Sequence, residues 1–253
     1  MKVCNYLKLI LIMTSFFLLA CNHLLQGKIF EIKNGGAMGN TMRSGESYEF
    51  RKSDTYSIND IIALKKSNIM TKKTEISIFR VLGKSGDKIE ISKGLPYVND
   101  QLLELPSSSK HMYFCKSSIK IDLEDIDPKY QVINYENDTL LLDIDQNQLK
   151  ELNAEKSYLK LMPYYIAKNS GDSYIKFNKT WNRDFFGPIV IPSHAAINDT
   201  SNVITISDLN FNQIKNDSLY FVIGDDIQNS VDSRYIGFVP KSLIIGKLAE
   251  KIK

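Results

Sequence analysis

Short apolar runs, each broken off by turn residues, restrict what this chain can fold into more than any other feature of its sequence. Glu75 to Leu82 and Lys88 to Ile91 read as strands, and Gly83 with Ser85-Gly86-Asp87 supplies the turn between them. Asp60 to Leu64 is a similar run, and Lys28 to Lys33 alternates before the loop signal Asn34-Gly35-Gly36. Short strands joined by Gly-, Asn- and Asp-containing turns predict a mainly β protein. With 43% hydrophobic residues among 253, a sizeable core can be buried.

The stretch 101–179 has a different character, rich in Asp, Asn, Lys and Tyr. It holds the best helix candidate, Asp145 to Lys156, where Asp145 and Gln148 form a capping pair and Leu149 and Leu152 share one face. Leu140 to Ile144 and Tyr158 to Ile166 are apolar enough for strands, so 101–179 is expected to be an inserted second lobe rather than a linker. The core pattern of 21–100 returns over 180–253, in Phe185-Phe186-Gly187-Pro188, Ile189 to Ile191, Val203 to Ile206 and the strongly apolar Leu219 to Ile223. No internal repeat or low-complexity tract interrupts it.

The first twenty residues read as a leader. Lys2 and Lys8 precede an apolar stretch, Leu9 to Ala20, in the order of a secretory signal peptide. Twelve helical residues reach only ~18 Å, short of the ~30 Å hydrocarbon core of a membrane. The ending Leu18-Leu19-Ala20-Cys21 resembles a bacterial lipobox, which implies cleavage before Cys21, lipid on its thiol, and a place in the cell envelope facing the periplasm or the exterior. On that reading Cys4 leaves, and Cys115 has no partner for an intramolecular disulfide. Of the net charge of +3, Lys2 and Lys8 supply two, and the remaining +1 is too small to mark a nucleic-acid binder. His23, His111 and His194 are far apart with no ligand-spaced Cys or His beside them, so neither a metal nor a cofactor is expected.

Three segments carry a resemblance. The last is Gly224-Asp225-Asp226, Asn229-Ser230-Val231-Asp232-Ser233-Arg234, Gly237, Val239-Pro240 and Gly246-Lys247. The middle one runs from Arg80 through Gly83, Gly86 and Asp87, followed by Tyr97-Val98-Asn99. The first is Gly35-Gly36-Ala37-Met38-Gly39-Asn40-Thr41-Met42. In this order they resemble the conserved boxes of the bacterial type I signal peptidases, with Asp226 where the family has Asn. The resemblance implies a coiled antiparallel β-sheet core and chemistry by a Ser–Lys dyad, in which a lysine amine kept neutral by burial takes the proton of an attacking serine.

The same resemblance places the nucleophile at Ala37, in register with Met38 and Thr41, and the general base at Phe79, in register with Arg80 and Gly83. The oxyanion serine falls on Gly35. A methyl group offers no nucleophilic oxygen and a phenyl ring accepts no proton, so the catalytic pair is lost. Arg80, Asp232 and Arg234 match an ion-paired cluster beside the site, Ser230 matches the serine that holds the lysine ammonium, and Gly86, Asp87 and Ser233 belong to the retained scaffold. Thr41 and Ser44, with Lys33 and Lys84, are the nearest hydroxyls and amines for a rebuilt dyad, each displaced from the catalytic position. The family lays its substrate as an extended strand between segments that fall here on Phe30 to Asn34 and Ile76 to Phe79, a mode that relies on backbone pairing.

These readings imply a lipid-anchored, non-catalytic homologue that binds an exported peptide or partner protein. The alternatives are an active serine endopeptidase that processes signal peptides with other residues, and a structural lipoprotein that assembles through the lobe 101–179.

Overall fold

The computed structural model of the chain describes residues 27–32, 36–67, 71, 73–118, 126–136, 139–156, 158–193 and 216–253. The leader, Cys21, His23, Lys33 to Gly35, His194 and the strand expected at Val203 to Ile206 lie outside them. The fold is mainly β, as the run-and-turn pattern predicts, with three antiparallel sheets among the described residues. No helix described is long and apolar enough to cross a membrane.

The first sheet is built from β1 (Lys28–Glu31), β2 (Ser47–Arg51), β3 (Ile61–Ser67), β4 (Thr74–Lys84), β13 (Leu219–Ile223), β14 (Val239–Pro240) and β15 (Ile244–Lys251), in the order β1-β2-β15-β3-β4-β13-β14. The second contains β5 (Lys88–Ser92), β6 (Leu95–Val98), β7 (Gln101–Leu102) and β12 (Phe185–Val190), in the order β12-β5-β6-β7. The turn at Ser85-Gly86-Asp87 joins β4 to β5 as expected. Gly86 adopts φ +93°, a region open to glycine, and Asp87 accepts the Lys84 N–H at 2.9 Å.

β4 explains how these sheets share a core. Its first half is half exposed, but Phe79 to Gly83 are buried throughout. Phe79 and Val81 point into one cluster with Tyr56, Ile62, Leu64 and Val222. Leu82 points the opposite way, into a second cluster with Ile89, Ile91, Phe186, Phe221 and Phe238. A strand buried on both faces reads as a continuous apolar run, which is how Val81-Leu82 and Leu219 to Ile223 appear in the sequence.

Within 101–179, Lys110 to Pro163 forms the third sheet and its helix. The strands are β8 (Lys110–Ser117), β9 (Gln131–Glu136), β10 (Thr139–Asp145) and β11 (Leu159–Pro163), in the order β11-β8-β10-β9. Helix α1 (Gln146–Glu155) starts at the capping box predicted for Asp145 and Gln148, and its Leu152 covers Cys115, Leu140 and Leu142. The flanks go elsewhere. β7 joins the second sheet, and Ile175 and Phe177 pack into the core with Phe186 and Phe221, because these are the apolar residues of an otherwise polar stretch.

Candidate functional site

Ala37 and Phe79 lie on different elements and meet at one cleft. Ala37 sits in a 3-10 turn, Gly36–Thr41, held down by Met38, which is buried with Met42, Tyr48 and Phe50. Phe79 projects from β4 opposite Ile62 on β3 and is 1% exposed. The cleft has a volume of about 440 Å³ and runs between the end of β1 and the residue after it, Phe30 to Ile32, and β4, through Ile76 to Phe79. β1 and β4 are not neighbours in the sheet, so the sheet coils to bring them face to face. Among the described residues β1 pairs only with β2. The Thr74 to Phe79 half of β4 pairs only with β3, since β13 covers β4 from Arg80 onward. Among the described residues two backbone edges are therefore left without a strand partner beside the cleft.

Asp225 ties the two walls together. Arg80, next to Phe79, grips it with Nε–Oδ1 at 2.8 Å and Nη2–Oδ2 at 2.6 Å. Thr41, at the end of the turn that carries Ala37, donates its hydroxyl to Asp225 Oδ2 at 2.6 Å. Such charge-assisted contacts in a dry environment fix geometry strongly. The Ala37 carbonyl also accepts the Asp226 N–H at 2.9 Å. The cluster expected of Arg80, Asp232 and Arg234 is thus two separate pairs. Asp232 gives both oxygens to Arg234, at 2.8 and 2.7 Å, while Oδ2 also accepts the Gly224 N–H at 3.1 Å and Asp232 caps the one-turn helix α2 (Ser233–Ile236). Ser233 Oγ accepts the Val222 N–H at 2.9 Å.

Ser230 is buried, and its Oγ has no hydrogen-bond partner among the described residues. It packs with the Ala37 carbonyl oxygen against Gly224, where any Cβ would collide with both. The hydroxyls and amines considered for a rebuilt dyad are not assembled. Thr41 is engaged by Asp225, Ser44 is in an exposed turn and Lys84 is at the exposed far end of β4, while Lys33 lies outside the described residues.

The structure adds Lys66 and Asp143, which the sequence reading did not single out. Lys66, near the end of β3, shares a sheet face with Leu64 and Ile62 and turns into the cleft. It is 8% exposed, and its ammonium lies 5.5 Å from the Phe79 ring centroid, 3.4 Å from the Val231 carbonyl oxygen and 3.4 Å from Glu75 Oε1. Behind the cleft, Asn229 Nδ2 donates to Asp143 Oδ2 at 2.9 Å and to Asp226 Oδ1 at 3.1 Å. Asp143 is fully buried, with Lys110 Nζ at 3.7 Å from Oδ2 and with Oδ1 unpartnered among the described residues. Burial, reinforced by the Asp226 charge and opposed by Lys110, pushes the Asp143 carboxyl up to about 7. Among the described residues no three His, Cys, Asp or Glu side chains converge on a metal-sized site.

A family model described as signal peptidase, peptidase S26, matches residues 3–252. The chain belongs to that family. No curated protein matches it. Ala37 and Phe79, which the sequence resemblance alone aligns with the nucleophile and the base, both line the cleft of this family member. They bring a methyl group and a phenyl ring to it, beside the hydrogen-bonded set of Asp225, Thr41 and Arg80.

Proposed function

We propose that this signal peptidase relative is a non-catalytic, lipid-anchored protein of the cell envelope that holds an exported peptide, or an extended segment of a partner protein, in the cleft between β1 and β4. The observation that carries the reading is the open cleft itself, which is bounded by two strand edges unpaired among the described residues and has a methyl group and a phenyl ring at the positions that the resemblance gives to the reaction. Extended backbone adds to such edges through main-chain hydrogen bonds, and this needs neither a hydroxyl nor an amine. The lipobox-like Leu18-Leu19-Ala20-Cys21 supports an anchor at Cys21.

The test is a preprotein cleavage assay with the detergent-solubilised full chain beside its Ala37→Ser, Phe79→Lys double variant. The expected result is no cleavage by the natural chain and measurable cleavage by the variant. Cleavage by the natural chain, abolished by a serine-directed acylating inhibitor, would establish an active endopeptidase and overturn the proposal.

A further inference from the structure

Lys66 gives the cleft a charge that its other walls do not explain. Strand parity sets its direction: Lys65 is exposed, whereas Lys66 lies on the inward face, opposite Glu75 and two pairs along from Leu64 and Ser77. Around it the wall is mainly apolar, with Met38, Ile76, Phe79 and Val231. An ammonium has three donors, and charge-assisted contacts ordinarily close to ~2.7–2.9 Å. The two oxygen contacts that Lys66 makes among the described residues are both 3.4 Å. Its third interaction is with the face of the Phe79 ring. This buried cation is loosely coordinated and faces an open cleft.

We propose that the cleft selects extended peptides presenting a carboxylate to Lys66, above the Phe79 ring. The assignment rests on the peptide-binding reading and specifies its ligand. A carboxylate entering there closes a charge pair within an apolar wall, where it is screened less than in water. Glu31, which lines the opposite wall on β1, disfavours a carboxylate on that side and so fixes which end of the cleft takes it.

The experiment measures fluorescence-anisotropy binding of eight-residue Ala/Val-based peptides to the full chain. In one arm a single Asp is compared with Asn at successive positions, and in the other a free C-terminal carboxylate is compared with its amide. One peptide of each charged/neutral pair is expected to bind about tenfold tighter than its neutral twin, in the arm that identifies the carboxylate's source. Lys66→Met should abolish that preference while leaving neutral peptides bound, Lys66→Arg should keep it, and Glu75→Gln should strengthen it severalfold by removing the competing carboxylate. Equal binding of charged and neutral peptides by the natural chain would overturn the selectivity and leave peptide binding standing. Failure of every peptide to bind would overturn both.

Discussion

On the sequence resemblance Asp226 falls where the family has a neutral Asn, and the structure shows what its charge meets. Asn229 bridges Asp226 to Asp143, and the sum of its contacts, 2.9 and 3.1 Å, keeps the two carboxylate oxygens within about 6 Å. At an effective dielectric of ~20, two unit charges that close repel by about 3 kcal/mol. The native state avoids this by keeping a proton on Asp143, whose carboxyl is raised from 3.8 to about 7. The sign follows from the proton count. Between those values the folded chain binds a proton that the unfolded chain has released, so this site's contribution to stability is complete below pH ~4 and is lost as pH rises through ~7. At ~1.4 kcal/mol per pKa unit the loss is about 4 kcal/mol. Asp226→Asn removes the repulsion but not the burial, which is the larger cause. The variant is therefore expected to gain about 1–3 kcal/mol at pH 8 and close to nothing at pH 4.5, measured by urea unfolding at both pH values. A stability change of the same size at both, or a loss at pH 8, would refute the shared-proton account.

Two further substitutions test the support around the cleft. Asp225→Ala strands the Arg80 guanidinium, 6% exposed, without its carboxylate and releases Thr41. It should lower unfolding free energy by about 3–5 kcal/mol, and a change below 1 kcal/mol in urea titration would show that the pair does not hold the walls together. Ser230→Ala removes a buried hydroxyl that has no partner among the described residues, so it should be neutral or stabilising by about 1 kcal/mol, whereas an appreciable drop in the urea midpoint would reveal a partner.

How much of this was legible in the sequence depends on the range of each interaction. The capping box of α1 and the turn at Ser85-Gly86-Asp87 are local, and residue types alone placed them. Lys66 escaped because the apolar run of β3 ends at Leu64. A strand, however, continues for as long as its backbone is paired, here to Ser67, and its parity of two puts 62, 64 and 66 on one face. The pairing of Arg80 with Asp225 rather than Asp232 was not readable either, since both oxygens of Asp232 are taken by Arg234 two residues away. Asp143 and Asp226 meet only because Lys110, at the start of the third sheet, bridges back to the Gly224-Asp225-Asp226 turn, a contact that no periodicity encodes.

The geometry also shows that the cleft does not depend on the side chains at 37 and 79. Asp225 links Thr41 to Arg80, the Asp226 amide holds the Ala37 carbonyl, and β3 pairs with β4, all without using the side chains at 37 and 79. A phenyl ring at 79 extends the apolar cluster of Ile62, Val81 and Val222, and it spares the fold the burial of an amine. Ser230 lies nearby, and its Oγ is among the buried side-chain atoms without a hydrogen-bond partner among the described residues. On the non-catalytic reading proposed above, a hydroxyl without a partner among the described residues, beside an intact ion-pair frame, is what replacing a base while keeping its scaffold would leave.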